Sequence, residues 1–241
     1  MLCNCPCRRL TPRLFVPYML AALMLAGCGT TPPSSFYTLT PLAEAADRDT
    51  DIQGGGLSIG IGPVVFPQYL DRPQLVVRGG TNRLDLDEFQ RWGGTVQDDF
   101  LRVWGENLAH LLDTSRIVIF PTESRMPIDF RITAEVISFA AAPGGEVVLK
   151  VRWAVMDSYL EQTLAAREDV YLSPVVSSPQ VVGAPAGDAG QQAGAEVGGY
   201  ESEAVVAAMS RVLGEFSRDV AGVLRTLPKP PPPPEATVRP L

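Results

Sequence analysis

Apolar residues recur at helical spacing near the end of the chain. Val205, Met209, Val212, Phe216, Val220, Val223 and Leu227 step by 4, 3, 4, 4, 3 and 4, which lines one face of a helix. The spacing predicts a long helix over 200–227, weakened locally by Gly214 and Gly222 and ended by Pro228. Its polar side is mixed in charge rather than lysine-rich, so docking on the protein's own sheet fits it better than a membrane-surface role. A second helix is predicted over 95–112, with Leu101, Trp104, Leu108, Leu111 and Leu112 on its stripe. Thr95 can cap it, and Asp98 and Asp99 suit its positive end.

Elsewhere the period drops to two. Strands are predicted at 35–40, 57–66, 74–78, 83–86 and 116–120. Leu57, Ile59 and Ile61 alternate with Ser58, Gly60 and Gly62, so the small face should accept a closely packed neighbour, and Pro63 should fall at an edge or bend. Pro67 and Pro73 bound a turn, and Gly79-Gly80-Thr81-Asn82 closes a hairpin between 74–78 and 83–86. Phe130, Ile132, Ala134 and Val136 alternate with polar residues in a strand over 129–141. Pro143-Gly144-Gly145 turns the chain into a strand over 146–157, and 164–172 returns. These three read as an antiparallel meander with one face packed by helices and the other wet or covered by a partner. The fold class expected is α/β (α+β): a mainly antiparallel sheet packed by two main helices, in a single domain.

Two stretches break the alternation. Residues 41–56 are acidic and end in three glycines; no Lys-Ser/Thr follows, so they read as a connector rather than a phosphate loop. Residues 173–199 are rich in Gly, Ala, Pro, Ser and Gln, with too few large apolar groups to offset the entropy of ordering, and are expected to form a mobile insert. The tail 228–241 holds a proline run, expected as polyproline II and as a spacer or a ligand for a partner groove.

Charge and cysteine usage turn on the first 28 residues. Arg8, Arg9 and Arg13 precede an apolar run that ends in Leu25-Ala26-Gly27-Cys28. A basic region, a short apolar core and small residues at a cut site form a secretory signal. The apolar run is about 14 residues, short of the roughly 20 that span a bilayer. Cleavage before Cys28 removes 27 of 241 residues and leaves 214. The loss of three arginines lowers the 20 basic side chains to 17 against 27 acidic ones, a formal charge of −10 in place of −7. Such a chain has no basic stripe for nucleic acid, and any membrane attachment must come from acyl chains. Cys3, Cys5 and Cys7 leave with the signal. Cys28 is then the sole cysteine, which allows neither a disulfide nor a thiolate metal site. Residues 28–33 form a tether whose five steps reach about 17 Å at most.

Candidate chemistry is sparse. His110 is the single histidine, one position off the apolar stripe of its helix, and no Gly-x-Ser-x-Gly elbow accompanies it. Asp85/Asp87 and Asp98/Asp99 are explained by solubility and the helix dipole. Neither a metal nor a cofactor is expected, and the chain does not read as an enzyme.

The blocks Leu25-Ala-Gly-Cys28, Phe36-Tyr-Thr-Leu39, Ile61-Gly-Pro-Val-Val-Phe-Pro67, Tyr69-Leu-Asp-Arg-Pro-Gln-Leu-Val-Val-Arg78, Arg91-Trp92, Glu106-Asn-Leu-Ala109, Asp129-Phe-Arg131, the strand Leu149 to Val155 and Ser217-Arg-Asp-Val-Ala221 carry a resemblance. In them the chain resembles the ABC-type transport auxiliary lipoprotein family, the paraquat-inducible protein C (PqiC/YmbA-like) lipoproteins, over about 25–227. The 173–199 insert and the proline tail depart from the pattern and leave the matched blocks intact. The resemblance implies a non-enzymatic periplasmic part of an MCE-type system that moves lipid or other hydrophobic molecules between membranes. The partners implied are an MCE-domain protein and its permease complex, and members can assemble into homo-oligomeric rings. Cys28 would carry the lipid; Gly29, rather than Asp, follows it, which favours the outer membrane by enterobacterial sorting. Within the most specific block, Pro67, Tyr69, Leu70, Asp71, Arg72, Pro73 and Arg78 are candidates for docking a partner. The alternative is structural: the prolines fix a turn, Asp71 caps and Arg72 pairs with a carboxylate. Arg91 and Trp92 are expected to tie the hairpin to the first helix. Two rivals remain: a lipoprotein that itself binds a lipid or an envelope polymer in a cavity, and an envelope hydrolase.

Overall fold

The structure is a computed structural model that describes residues 33–42, 56–122, 126–157, 162–176, 196–197 and 200–230. Cys28 and the expected signal segment, residues 43–55, most of the 173–199 stretch and the tail from 231 lie outside them. The compact unit begins at Ser34. Its elements are β1 (Ser35–Tyr37), β2 (Ile59–Val65), β3 (Gln74–Arg78), β4 (Leu84–Trp92), α1 (Val96–Leu112), β5 (Ile117–Ile119), β6 (Phe130–Ala142), β7 (Glu146–Asp157), β8 (Thr163–Pro174), β9 (Glu196–Val197), β10 (Tyr200–Glu201) and α2 (Ser202–Thr226).

The fold is α+β, with two helices packed on one eight-stranded mixed sheet. Its long ladders are antiparallel: β6 with β7, and β7 with β8. The expected meander is therefore present, and Gly144 and Gly145 close its first turn at φ 114 and 82, where only glycine is free of strain. β6 organises the rest because its second edge is shared. Phe130 to Glu135 pair in parallel with β2, and Ala141 pairs in parallel with Val77 of β3. One arm of this fork continues from β2 to β5, the other from β3 to β4 to β1. The links β2–β5 and β4–β1 are also parallel, an arrangement the local strand patterns do not reveal.

Alternation in β6 slips once. Phe130, Ile132, Ala134 and Val136 face the core, and then Phe139 and Ala141 do. The switch from even to odd positions coincides with a register shift against β7 between Val136 and Ser138, a β-bulge. Pro63 falls at a similar irregularity in β2, between Ile61 and Val64. The small face of β2 is used as its composition suggested: a Cβ on Gly60 would lie 2.7 Å from Ile128 and Phe120.

Thr95 Oγ1 accepts the Asp98 N–H at 3.0 Å and caps α1. Leu101, Trp104 and Leu108 are buried as expected, while Leu111 and Leu112 are only half-buried. Phe100 and Val103, outside the expected stripe, complete the inner face. Phe100 meets Phe66, Trp104 and Phe139 at 5.2, 5.9 and 5.5 Å between centroids, and Phe216 of α2 meets Trp104, Trp153 and Tyr171 at 4.9, 6.2 and 5.7 Å. These rings fill the space between helices and sheet. On the opposite face, Lys150 and Arg152 of β7 meet Glu168, and Arg152 also meets Glu135, a solvated charge ladder.

Ser173 and Pro174 still belong to β8, and β9 pairs with β10 just before α2. These pairs bracket the stretch expected to be a mobile insert. Among the described residues no helix is long and apolar enough to cross a membrane.

Candidate functional site

The block from Pro67 to Arg78 divides by depth. Pro67 is extended and opens a 3-10 turn over Gln68–Leu70, closed by the Leu70 N–H to the Pro67 carbonyl at 2.9 Å and the Asp71 N–H to the Gln68 carbonyl at 3.1 Å. The turn drives Leu70 into the core and brings Tyr69 partly against it, with a buried hydroxyl that lacks a described partner. Asp71, Arg72 and Pro73 then stand exposed. Beyond them Leu75, Val76 and Val77 are all buried, because β3 lies between β4 and β6 and is covered on both faces. Two buried anchors thus hold a short charged tip between them.

Neither Asp71 nor Arg72 forms an ion pair with another described residue. The tip is held through its backbone instead. The Arg72 N–H donates to the Leu70 carbonyl at 2.9 Å, and the Trp92 N–H donates to the Pro73 carbonyl at 2.8 Å. Trp92 is buried, and its register partner in β1 is Tyr37. Arg91 pairs in register with Gln74 on one side and Phe36 on the other, and lies 4.0 Å from Glu88. Arg91 and Trp92 therefore join the proline turn to β1. Arg78 sits at the far end of β3, four residue steps or about 13 Å from Gln74, and does not share the tip.

Other polar groups have structural partners. Arg102 bridges Asp99 and Glu106 and bonds the Leu39 carbonyl; partial burial opposes its charge while these carboxylates hold its pKa above the usual value. Hydrogen bonds from Lys150 and then Arg152 keep the Glu168 carboxyl below the ordinary range, and Glu168 and Glu135 in turn raise Arg152. Burial, and then the hydrogen bond to Asp219 at 3.0 Å, push the Tyr171 hydroxyl upward. His110 lies half-buried in the last turn of α1, where a basic group suits the helix dipole. Among the described residues no group of His, Cys, Asp or Glu could hold a metal ion.

Two open clefts mark the described surface. One, of about 410 Å³, runs between α1 and β5 over Leu101, Gly105, Ala109, Ile117 and Ile119. The other, of about 360 Å³, lies between β1 and the first turns of α2. The first is also lined by Asp98, Arg102, Glu106 and Ser115, and Glu106 is held in an ion pair with Arg102 at 3.1 Å.

The family model described as "ABC-type transport auxiliary lipoprotein component" matches residues 37–221. The chain belongs to this family. The match spans both helices' framework and the whole proline turn, and it identifies the protein as a transport auxiliary lipoprotein rather than a member of a known enzyme family. Two solved structures share its fold. One, an uncharacterized protein, superposes with a TM-score of 0.57 at 13% identity, covering 80% of this chain and 99% of that one. The other, a DUF330-family protein of Xanthomonas campestris, gives 0.51 at 13%, covering 81% and 94%. At that identity they speak for the fold alone. No curated protein matches the sequence.

Proposed function

We propose that this auxiliary lipoprotein is the non-enzymatic docking part of an MCE-type intermembrane transport system. It is held at the periplasmic face of the outer membrane by acyl chains on Cys28 and receives an MCE-domain protein that belongs to a permease complex. One observation carries the docking reading: the exposed Asp71-Arg72-Pro73 tip lacks described ion-pair partners, yet it is fixed between the buried anchors Leu70 and Leu75–Val77. A rigid, charged, unsatisfied turn offers a partner oriented contacts at little entropic cost. Family membership supports a transporter partner and an envelope lipoprotein. The packed aromatic centre supports docking over carriage, since Phe100, Trp104 and Phe216 occupy the space a carrier would leave for cargo.

The double substitution Asp71→Lys/Arg72→Glu reverses the tip and leaves the net charge unchanged. Tagged wild-type protein is expected to bring down an MCE-domain protein from solubilised envelopes. The double variant should lose at least about tenfold of it, the effect of 1.4 kcal/mol, with an unchanged melting temperature. Equal recovery by both proteins rejects the tip as the docking element. Extractable lipid in place of a protein partner favours the carrier.

A further inference from the structure

The first described residues carry a feature that docking does not use. Ser34, Phe36, Thr38 and Thr40 point outward, while Tyr37 and Leu39 turn toward the core. Phe36 is 66% exposed, and it is the only aromatic side chain among the large exposed hydrophobics of the described residues. It lies on β1, which among the described residues is an edge strand paired only with β4. Exposing a phenyl ring on an edge strand is costly for a free surface and also invites unwanted pairing.

The sequence segment it belongs to is uncharged. From Cys28 through Leu42 there is no Asp, Glu, Lys or Arg, in a protein whose mature form has a formal charge of −10. Outward hydroxyls flank the ring instead. Two charged side chains of other elements, one of each sign, stand near it: Arg91, its register partner on β4, and Glu203 of α2, which lines the same cleft. The segment itself offers lipid headgroups an apolar ring to enter the boundary region and neutral hydrogen-bonding groups beside it.

Chain length sets the partner. Eight residue steps separate Cys28 from Phe36, at most about 28 Å when fully extended. If Cys28 is acylated, Phe36 is confined close to the bilayer in which the acyl chains sit. Any less extended path brings it closer.

We propose that Phe36, with Ser34, Thr38 and Thr40 around it, rests in the headgroup layer of the anchoring membrane and orients the domain on it. This rests on Cys28 acylation as proposed above. The contact is an orienting one, since the acyl chains supply the attachment. It also places the docking tip. Phe36, Arg91 and Gln74 are register partners on β1, β4 and β3, so the strand that follows Pro73 lies two strand spacings, about 10 Å, from Phe36. The tip is then presented beside the membrane plane rather than far out in the periplasm.

Fluorescence tests this with the full-length acylated protein. Trp92, Trp104 and Trp153 are the three native tryptophans, and all are buried. Phe36→Trp therefore adds the one exposed indole. Val170→Trp serves as the control: Val170 is exposed on β8, five strand spacings or about 24 Å from β1. Each protein is reconstituted into phosphatidylcholine vesicles with and without brominated phosphatidylcholine. Acylation is read by intact mass, and attachment by flotation. The expected result is a blue shift and bromolipid quenching of the indole introduced at position 36, with neither at position 170. Acylated, floating protein whose position-36 indole is unquenched overturns the membrane contact and leaves the anchor standing. Equal quenching at both positions also overturns it. Protein that carries no acyl mass and does not float overturns the anchor and the contact together.

Discussion

Asn107 shows how much one side chain can join. It is fully buried in α1; its Nδ2 donates to Ser217 Oγ of α2 at 3.2 Å, and its Oδ1 accepts the Leu42 N–H at 2.8 Å. Three segments meet at one amide. Gly214 completes the junction, because a Cβ there would lie 2.7 Å from the Leu42 side chain. Replacing Asn107 with alanine strands the Leu42 N–H, while the Ser217 hydroxyl keeps its donation to the Leu213 carbonyl at 2.7 Å. The expected loss is about 1–3 kcal/mol of unfolding free energy, measured by urea denaturation at unchanged m-value. A loss within error would mean that the junction is not what holds the 38–42 segment to the helices. Sequence periodicity could not find this residue, because a stripe counts apolar positions and a buried amide looks like an exposed one. Phe100 was missed for a related reason: the true inner face of α1 is rotated from the leucine stripe and takes in Phe100, Val103 and Asn107 together. The cap at Thr95 was legible because its chemistry is local: one hydroxyl and one N–H three residues on.

The elements were readable in number and type, and less so in their pairing. The long helix was plain, and Val205, Met209, Val212, Phe216 and Val220 are all buried, with Val223 and Leu227 at its half-buried end. β4 extends to Trp92, well past the expected end at Leu86, because a register shift against β3 between Gln74 and Val76 hides the continuation. Parallel neighbours stayed hidden because a strand's own pattern reports which face is buried and not which strand lies beside it. The bulge in β6 is the sharpest case. Alternation reads cleanly to Val136, and a single extra residue then inverts it. Deleting Ile137 places Phe139 and Ala141 two and four positions after Val136, so strict alternation then keeps both on the core face and the ladder with β7 runs on without a bulge. That variant is expected to retain its near-UV circular dichroism and its cooperative melting transition, as is Ile137→Ala, which keeps the extra residue. A deletion variant that loses both would show that the bulge does more than absorb one extra residue.

At the scale of the molecule, the fork of β6 explains why a transport auxiliary lipoprotein can have a firm sheet and a specialised rim. The β6–β7–β8 side carries the satisfied charge ladder and the aromatic core. The β3–β4–β1 arm carries the proline turn and Phe36. The most specific sequence block was visible as a block. Its division into buried anchors and an exposed tip needed the fold, because Leu70 and Asp71 differ in depth only once the 3-10 turn is formed. Docking through that tip is the central claim, and site-specific photo-crosslinking in living cells tests it most directly. A photoreactive residue replaces Gln68, which is exposed in the turn but is not one of the charged tip residues, and in a second strain replaces Glu168 on the opposite arm. The account expects a crosslink to an MCE-domain protein from position 68 and none from position 168; crosslinking from 168 alone, or equally from both, would contradict it.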